Sequence, residues 1–166
     1  MPEQMTHILV PVDFSEHSDT ALQYAAMLAQ RVGGSIELLH VVEDPFVSGA
    51  WSAEAFTPNM PELLDQVTAD ARGRLVTLQS AAASEGVVFT TNVVTGRPAQ
   101  AIVERARSGA FGLIVMGTHG RTGVSHLFLG SVAERVVRTA PCPVLTVRTT
   151  TARASEAQAS TTVTVL

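Results

Sequence analysis

The 166-residue sequence contains no lysine, so its 11 basic residues are all arginines. This absence excludes a Walker-type phosphate loop, a Schiff-base enzyme and the phosphate-binding lysine of kinases, because each of these needs a lysine amine. Any phosphate group that the chain binds must therefore rest on backbone N–H groups, hydroxyls, arginine or a metal ion.

Cysteine is almost as scarce, since Cys142 is the only one. A single thiol excludes an internal disulfide and any metal site built from several cysteines. The five histidines lack short metal-ligand spacing, so we assign no metal-binding residue, although a divalent cation held by nucleotide phosphates and water stays compatible. Ser125 and His126 are neighbours, but no G-x-S-x-G elbow surrounds them, and we assign no catalytic residue.

Charge and long apolar runs are also limited. Only 16% of the residues are charged, the formal net charge is −4 and the arginines are scattered, which argues against nucleic acid as a partner. No apolar run approaches the ~20 residues of a membrane span, and residues 1–7 are mostly polar. The prediction is therefore a cytoplasmic protein without a membrane partner, and its 46% of apolar residues are typical of a globular domain.

The chain does contain a regular alternation of short apolar runs and amphipathic segments. The runs predict strands at residues 7–12, 35–42, 87–94, 113–116 and 143–147, and the segments predict helices that begin near residues 15, 62, 98 and 131. This alternation predicts an α/β fold, a parallel sheet with helices on both faces. Ligands of such sheets bind at the carboxyl ends of strands, where we expect Asp13, Val41 and Gly117.

A glycine-rich loop joins the predicted fourth strand to the last helix. Its spacing is Gly117-x2-Gly120-x9-Gly130-Ser131. Glycine reaches positive φ cheaply and lets the backbone approach a ligand, and the start of a helix favours an anion. The loop therefore predicts a phosphate site to which Ser131 adds a hydroxyl. The alternative is a long turn followed by an N-cap.

These motifs resemble the universal stress protein family. The likeness covers residues 5–148 and includes MGTHGRTG, LGSVAERV and APCPVLTVR, together with ILVPVDFS near the start. Where the family often has an acidic residue before the fourth strand, this chain has Gly112. The resemblance implies a Rossmann-like three-layer sandwich with a five-stranded parallel sheet in the order 3-2-1-4-5. It also implies that the chain binds ATP, with or without Mg²⁺, or a related adenine nucleotide in a stress response.

The resemblance also assigns roles to individual residues. Asp13 matches the aspartate near the nucleoside, although an aspartate at a strand-to-helix turn also caps backbone N–H groups. Val41 matches the residue whose backbone meets adenine. The whole predicted nucleotide site comprises Pro11, Asp13, Val41, Met116, Gly117, Gly120, Gly130, Ser131 and Val132, the last through its backbone N–H.

Two other functions stay open, a nucleotide-free dimeric interaction module and a slow ATP hydrolase, for which the sequence supplies no positioned base. The long connection over residues 43–61 contains Trp51 and three prolines. It is either a surface loop pinned by aromatic residues or a lid over the nucleotide.

The end of the chain changes in composition. We expect residues 1–148 to form the domain and residues 149–166 to be a flexible tail. Val144, Leu145 and Val147 make a short apolar strand, which the resemblance places at the sheet edge and pairs antiparallel with the same strand of a second chain in a homodimer. Residues 161–166 alternate with high β-propensity and are a competitor, able to pair locally or to cross to a partner.

Overall fold

The computed structural model of the chain describes residues 6–43, 59–83, 86–118, 129–148 and 163–165. The strands are β1 His7–Pro11, β2 Ser35–Glu43, β3 Val88–Gly96, β4 Leu113–Gly117, β5 Val144–Val147 and β6 Val163–Val165. The helices are α1 Glu16–Val32, α2 Met60–Ala82, α3 Pro98–Ser108 and α4 Ser131–Thr139. Most of the predicted 43–61 connection, with Trp51, lies outside the described residues.

The strands form one sheet in the order β3-β2-β1-β4-β5-β6. The pairs β1–β2, β1–β4, β2–β3 and β4–β5 are all parallel, which confirms the predicted five-stranded order 3-2-1-4-5. After β1 the chain builds outward to β3 and then returns to place β4 on the other side of β1. The carboxyl ends of β1 and β4 therefore flank the point where the strand order reverses.

Helices cover both faces of the sheet because the strand side chains alternate. Ile8 and Val10 of β1 belong to a core with α1 and with Leu75 of α2, whereas Leu9 belongs to a second core with α3 and α4. The same alternation in β2 puts Leu38 in the first core. The result is the three-layer sandwich that was predicted.

Local signals set the bounds of α1 as expected. Ser15 is the N-cap, and its side chain accepts a hydrogen bond from the backbone N–H of Ser18. Gly33 ends the helix with φ of 64°, a left-handed conformation that glycine adopts without strain.

The described part of the chain contains no helix that is both long and apolar enough to cross a membrane. Within the same residues, no three side chains of histidine, cysteine, aspartate or glutamate lie together as metal ligands would.

The tail contributes one more strand to the sheet. β6 pairs antiparallel with β5, with Thr146 opposite Thr164. Of the two roles considered for residues 161–166, local pairing is the one that Val163–Val165 have in the structure, so these three residues do not belong to a flexible tail. Residues 149–162, and with them the predicted boundary after residue 148, lie outside the described residues.

Candidate functional site

A cavity of about 580 Å³ opens at the carboxyl ends of β1, β2 and β4. Its lining includes eight of the nine predicted site residues, namely Pro11, Asp13, Val41, Met116, Gly117, Gly130, Ser131 and Val132. The ninth, Gly120, lies outside the described residues. Gly112 donates its N–H to the carbonyl of His7 at 3.0 Å, at the amino end of β4, and so lies at the strand entry.

The turn after β1 presents Asp13 to the cavity. Asp13 Oδ1 accepts hydrogen bonds from the Ser15 N–H at 3.1 Å and from the Ser15 hydroxyl at 2.6 Å. One carboxylate oxygen thus has the capping role that was considered for an aspartate at this turn. The residue nevertheless lines the cavity, so capping and ligand contact are compatible uses of the same side chain.

His40 of β2 fixes the backbone next to Asp13, a role that sequence reasoning missed. Its Nδ1 lies 2.7 Å from the carbonyl oxygen of Val12, and since a carbonyl only accepts, Nδ1 carries the proton. The Val12 N–H in turn donates to the carbonyl of Leu39 at 2.8 Å. Val12, the residue before Asp13, is therefore held at both of its backbone polar groups, the N–H and the carbonyl.

Phe14 adopts a left-handed backbone conformation, with φ of 63°, at this turn. Its ring lies 4.5 Å from that of His40, and the Arg74 guanidinium lies 3.8 Å from the Phe14 ring centroid. A left-handed bulky residue is strained and persists where the surroundings hold it. The ring and cation contacts supply that support, and they anchor the turn to α2.

The surroundings of Asp19, in the first turn of α1, disfavour the charged form of its carboxyl. Burial raises the pKa of its carboxyl, the negative charges of Asp13 and Glu16 raise it further, and Arg74 lowers it. Its Oδ1 atom is buried without a hydrogen-bond partner. The charged form of Asp19 is therefore less favourable in the folded protein than in the unfolded chain.

The two ends of the glycine-rich loop are tied together at the cavity. The Gly130 N–H donates to the carbonyl of Thr118 at 2.8 Å, and the Thr118 N–H donates to the carbonyl of Val147 at 3.0 Å. Residues 119–128 of this loop lie outside the described residues. The entrance and the exit of the loop are nonetheless fixed, on the end of β4 and the start of α4.

Gly117 is required by packing and not by its backbone conformation. Positive φ among the described glycines occurs at Gly33, Gly86 and Gly96, so the left-handed conformation considered for the loop glycines is absent at Gly117. A Cβ atom on Gly117 would lie 3.0 Å from the carbonyl carbon, the carbonyl oxygen and the Cβ of His17. The end of β4 therefore approaches the first turn of α1 so closely that a Cβ atom at position 117 would require His17 to give by a few tenths of an ångström.

The start of α4 has the features of an anion site. Gly130 is the N-cap, with φ of −60° and ψ of 152°, and it provides no side-chain cap. The first N–H groups of α4 therefore lack a capping side chain, and they lie beside the cavity that Ser131, Val132 and Ala133 line. Ser131 is the first residue of the helix, as predicted.

The remaining lining is mainly apolar, with acidic groups near the strand ends. Sequence reasoning missed the residues of this remaining lining because nothing in their local pattern distinguishes them from core positions. They include Val42, Val67, Pro98 and Ile102, with Glu43 as a second carboxylate besides Asp13. Together they make an apolar cleft next to an uncapped helix start.

Known proteins resemble this chain over most of its length. The model of the universal stress protein family matches residues 5–148. Universal stress protein MJ0531 of Methanocaldococcus jannaschii is 37% identical over 146 residues, which cover 85% of this chain and 81% of the relative. Universal stress protein YxiE of Bacillus subtilis is 31% identical over a match that covers 85% of this chain and 97% of the length of YxiE.

Solved structures agree with the sequence comparison. The structure of MJ0577 has a TM-score of 0.76 and 28% identity, covering 90% of this chain and 99% of that one. The structure of UspA from Lactobacillus plantarum also has a TM-score of 0.76, with 32% identity over 86% of this chain and 97% of that one. The chain therefore belongs to the universal stress protein family.

Proposed function

We propose that the chain binds ATP or a related adenine nucleotide as a cytoplasmic stress-response module. The proposal rests on one observation, that a single cavity has both a helix start suited to phosphate and an apolar cleft suited to a base. The uncapped start of α4 suits phosphate, and the apolar cleft beside it suits a flat base. Asp13, which follows the neighbouring strand β1, would accept a hydrogen bond from a ribose hydroxyl.

The arrangement fits the absence of lysine from the chain. The phosphates would rest on the backbone N–H groups of Ser131 and Val132 and on the Ser131 hydroxyl, while the Gly130 N–H donates to the Thr118 carbonyl and holds the end of the loop. A Mg²⁺ ion, if it accompanies the nucleotide, would be held by phosphate oxygens and water, because the described residues offer no cluster of metal ligands.

Related folds give context for the ligand. One universal stress protein has been solved in complex with cAMP and one from Archaeoglobus fulgidus in complex with dAMP. They are 19% and 24% identical to this chain and share its fold, with TM-scores of 0.56 and 0.58. The nucleotides are properties of those proteins, and the proposal for this chain rests on its own cavity.

Calorimetry with ATP, AMP and GTP tests the proposal, together with mass spectrometry for nucleotide that co-purifies with the protein. Gly130→Val is the informative variant, because the backbone conformation of Gly130 is open to any residue while a branched side chain would crowd the helix start. We expect at least a ~100-fold loss of ATP affinity, since a phosphate would lose its close contact with the backbone.

Ser131→Ala should cost less, about tenfold, because it removes one hydroxyl and keeps the N–H groups. Gly73→Ala, on the exposed side of α2, is the control and should bind as the wild type does. If the wild-type protein binds none of the nucleotides, the nucleotide-free interaction module replaces this proposal. If Gly130→Val binds normally, the phosphate position is wrong.

The homodimer through Val144, Leu145 and Val147 is also a proposal. In the structure the edge of β5 is paired with β6 of the same chain. A dimer through β5 therefore requires β6 to leave that edge.

A further inference from the structure

The backbone conformation of Phe14 is unusual for a bulky residue. Among the described residues other than glycine, positive φ occurs at Phe14, with 63°, and at Ala110, an exposed alanine past the end of α3, with 50°. Glycine adopts such a conformation without strain, whereas a large side chain does not. Strain of this kind is found at functional sites, where the surrounding contacts hold it, and Phe14 directly follows a residue that lines the cavity.

The Phe14 ring contacts one side chain from β2 and one from α2. It lies 4.5 Å from the ring of His40, at an interplanar angle of 37°, and the Arg74 guanidinium lies 3.8 Å from its centroid. His40 is buried, lines the cavity and donates from Nδ1 to the Val12 carbonyl at 2.7 Å. The ring is therefore connected through His40 to the residue that precedes Asp13.

The residues on both sides of Phe14 fix Asp13 as well. On one side, Val12 is held by His40 and by its own N–H bond at 2.8 Å to β2. On the other side, Ser15 donates its N–H and its hydroxyl to Asp13 Oδ1. A hydrogen bond from Asp13 to a ligand depends on the direction of this carboxylate, and contacts that preset such a direction improve binding.

The helix that supplies Arg74 also forms part of the cavity. Val67 lines the cavity and lies on α2 about two turns before Arg74. Asp13 lines the same cavity from the turn after β1. The Phe14 ring therefore connects two walls of the cavity, the turn that carries the carboxylate and helix α2.

We propose that Phe14 is a positioning residue, whose ring, held by Arg74 and His40, directs the Asp13 carboxylate toward the ribose hydroxyls of a bound nucleotide. The inference rests on the proposed function, because it names a residue that selects the sugar in that same site. The ring also packs against the first core. Packing alone would affect the stability of the fold and leave the preference for a ribose hydroxyl unchanged, so the two roles can be separated by experiment.

The test compares ATP with 2′,3′-dideoxy-ATP, which lacks both ribose hydroxyls, by calorimetry on the full chain. Phe14→Gly removes the ring and accepts the left-handed backbone, so its effect does not come from strain. Phe14→Leu keeps an apolar side chain without the aromatic ring, and Phe14→Tyr keeps the ring. Phe111→Leu is the matched control, because Phe111 also contacts a histidine and an arginine, His7 at 4.0 Å and Arg105 at 5.3 Å, but at the amino end of β1.

A hydrogen bond to a charged acceptor is worth about 10–100-fold in affinity, so the wild type, Phe14→Tyr and Phe111→Leu should prefer ATP by about that factor. Phe14→Gly and Phe14→Leu should prefer ATP by about twofold or less, while their affinity for dideoxy-ATP stays within about threefold of the wild type. Arg74→Gln should reduce the preference by a smaller factor, about two- to fivefold, since it removes only the cation beside the ring.

A preference for ATP in Phe14→Gly and Phe14→Leu equal to that of the wild type would overturn the inference, and a lowered urea midpoint would then assign the ring to packing. Equal binding of the two nucleotides by the wild type would also overturn it, because Asp13 would then make no bond to the ribose. Both results leave ATP binding, and with it the proposed function, in place. A wild type that binds neither nucleotide would remove the proposed function and this inference together.

Discussion

Replacement of Gly117 by alanine tests whether the end of β4 is held against α1 as closely as the structure shows. The added Cβ would meet three atoms of His17 at 3.0 Å, two of them backbone atoms that cannot rotate away. Van der Waals contact between carbon atoms is optimal at about 3.5–4.0 Å, so α1 or β4 must give by a few tenths of an ångström to admit the methyl group.

The expected cost follows from two opposing terms. Overpacking by one methyl group costs about 1–3 kcal/mol, whereas removing a glycine from the unfolded chain returns about 0.4–1 kcal/mol. We therefore expect Gly117→Ala to lower the free energy of unfolding by about 1–2 kcal/mol, and Gly117→Val to lower it further. With a urea dependence of ~1–3 kcal/mol per molar, the midpoint should fall by about 1 M at an unchanged slope.

The same substitution elsewhere provides the control. Gly73 lies on the exposed side of α2, and its added Cβ would have no neighbour within 4 Å. Gly73→Ala should raise the free energy of unfolding by about 0.5–1 kcal/mol, because alanine is the better helix former. Urea unfolding followed by circular dichroism measures both variants. A Gly117→Ala midpoint equal to or above that of the wild type would refute the close approach, and Gly73→Ala separates that result from a general effect of glycine removal.

Two further predictions concern charged groups. Glu37, almost completely buried, accepts from Arg105 Nε at 2.6 Å and from Asn92 Nδ2 at 3.2 Å, so Glu37→Leu should lower the free energy of unfolding by about 2–4 kcal/mol while the double variant with Arg105→Leu recovers a large part of it. Additive losses in urea unfolding would show that the two side chains do not depend on each other. The pKa of Asp19 is raised in the folded protein, so Asp19→Asn should stabilise it at pH 7, where the wild-type carboxyl is charged, and the gain should fade as the pH falls through the folded pKa toward the unfolded value of 3.8. A gain of equal size at pH 7 and pH 3.5 would contradict this.

Much of the fold was predictable from local pattern. The strands and helices differ from their predicted bounds by a few residues at most, because apolar alternation and the caps at Ser15 and Gly33 are local signals. The loop ends at Gly117 and Gly130 were recognisable by spacing. The order of the strands came from resemblance and not from local pattern, since many sheets share one order of elements along the chain.

Other features depend on residues that are far apart in the chain. His40 binds the carbonyl of Val12, 28 positions away, and Glu37 binds Arg105, 68 positions away. No window of sequence contains both partners, so neither contact could be read from pattern. The reason for a glycine at position 117 was predicted wrongly in part. Positive φ was considered for the loop glycines, but Gly117 does not adopt it. The structure instead brings His17 close to Gly117, a tertiary contact that the local sequence does not reveal.

The sequence by itself determined the α/β alternation, the glycine-rich loop before the last helix and the need to bind any phosphate without lysine, because these are properties of short segments and of composition. Only the tertiary structure decided that eight predicted residues share one cavity and that β6 covers β5. The alternating pattern of residues 161–166 was compatible with pairing in the same chain or across two chains. That choice depends on which strand lies at the edge of the assembled sheet, and no single segment of the sequence specifies which strand that is.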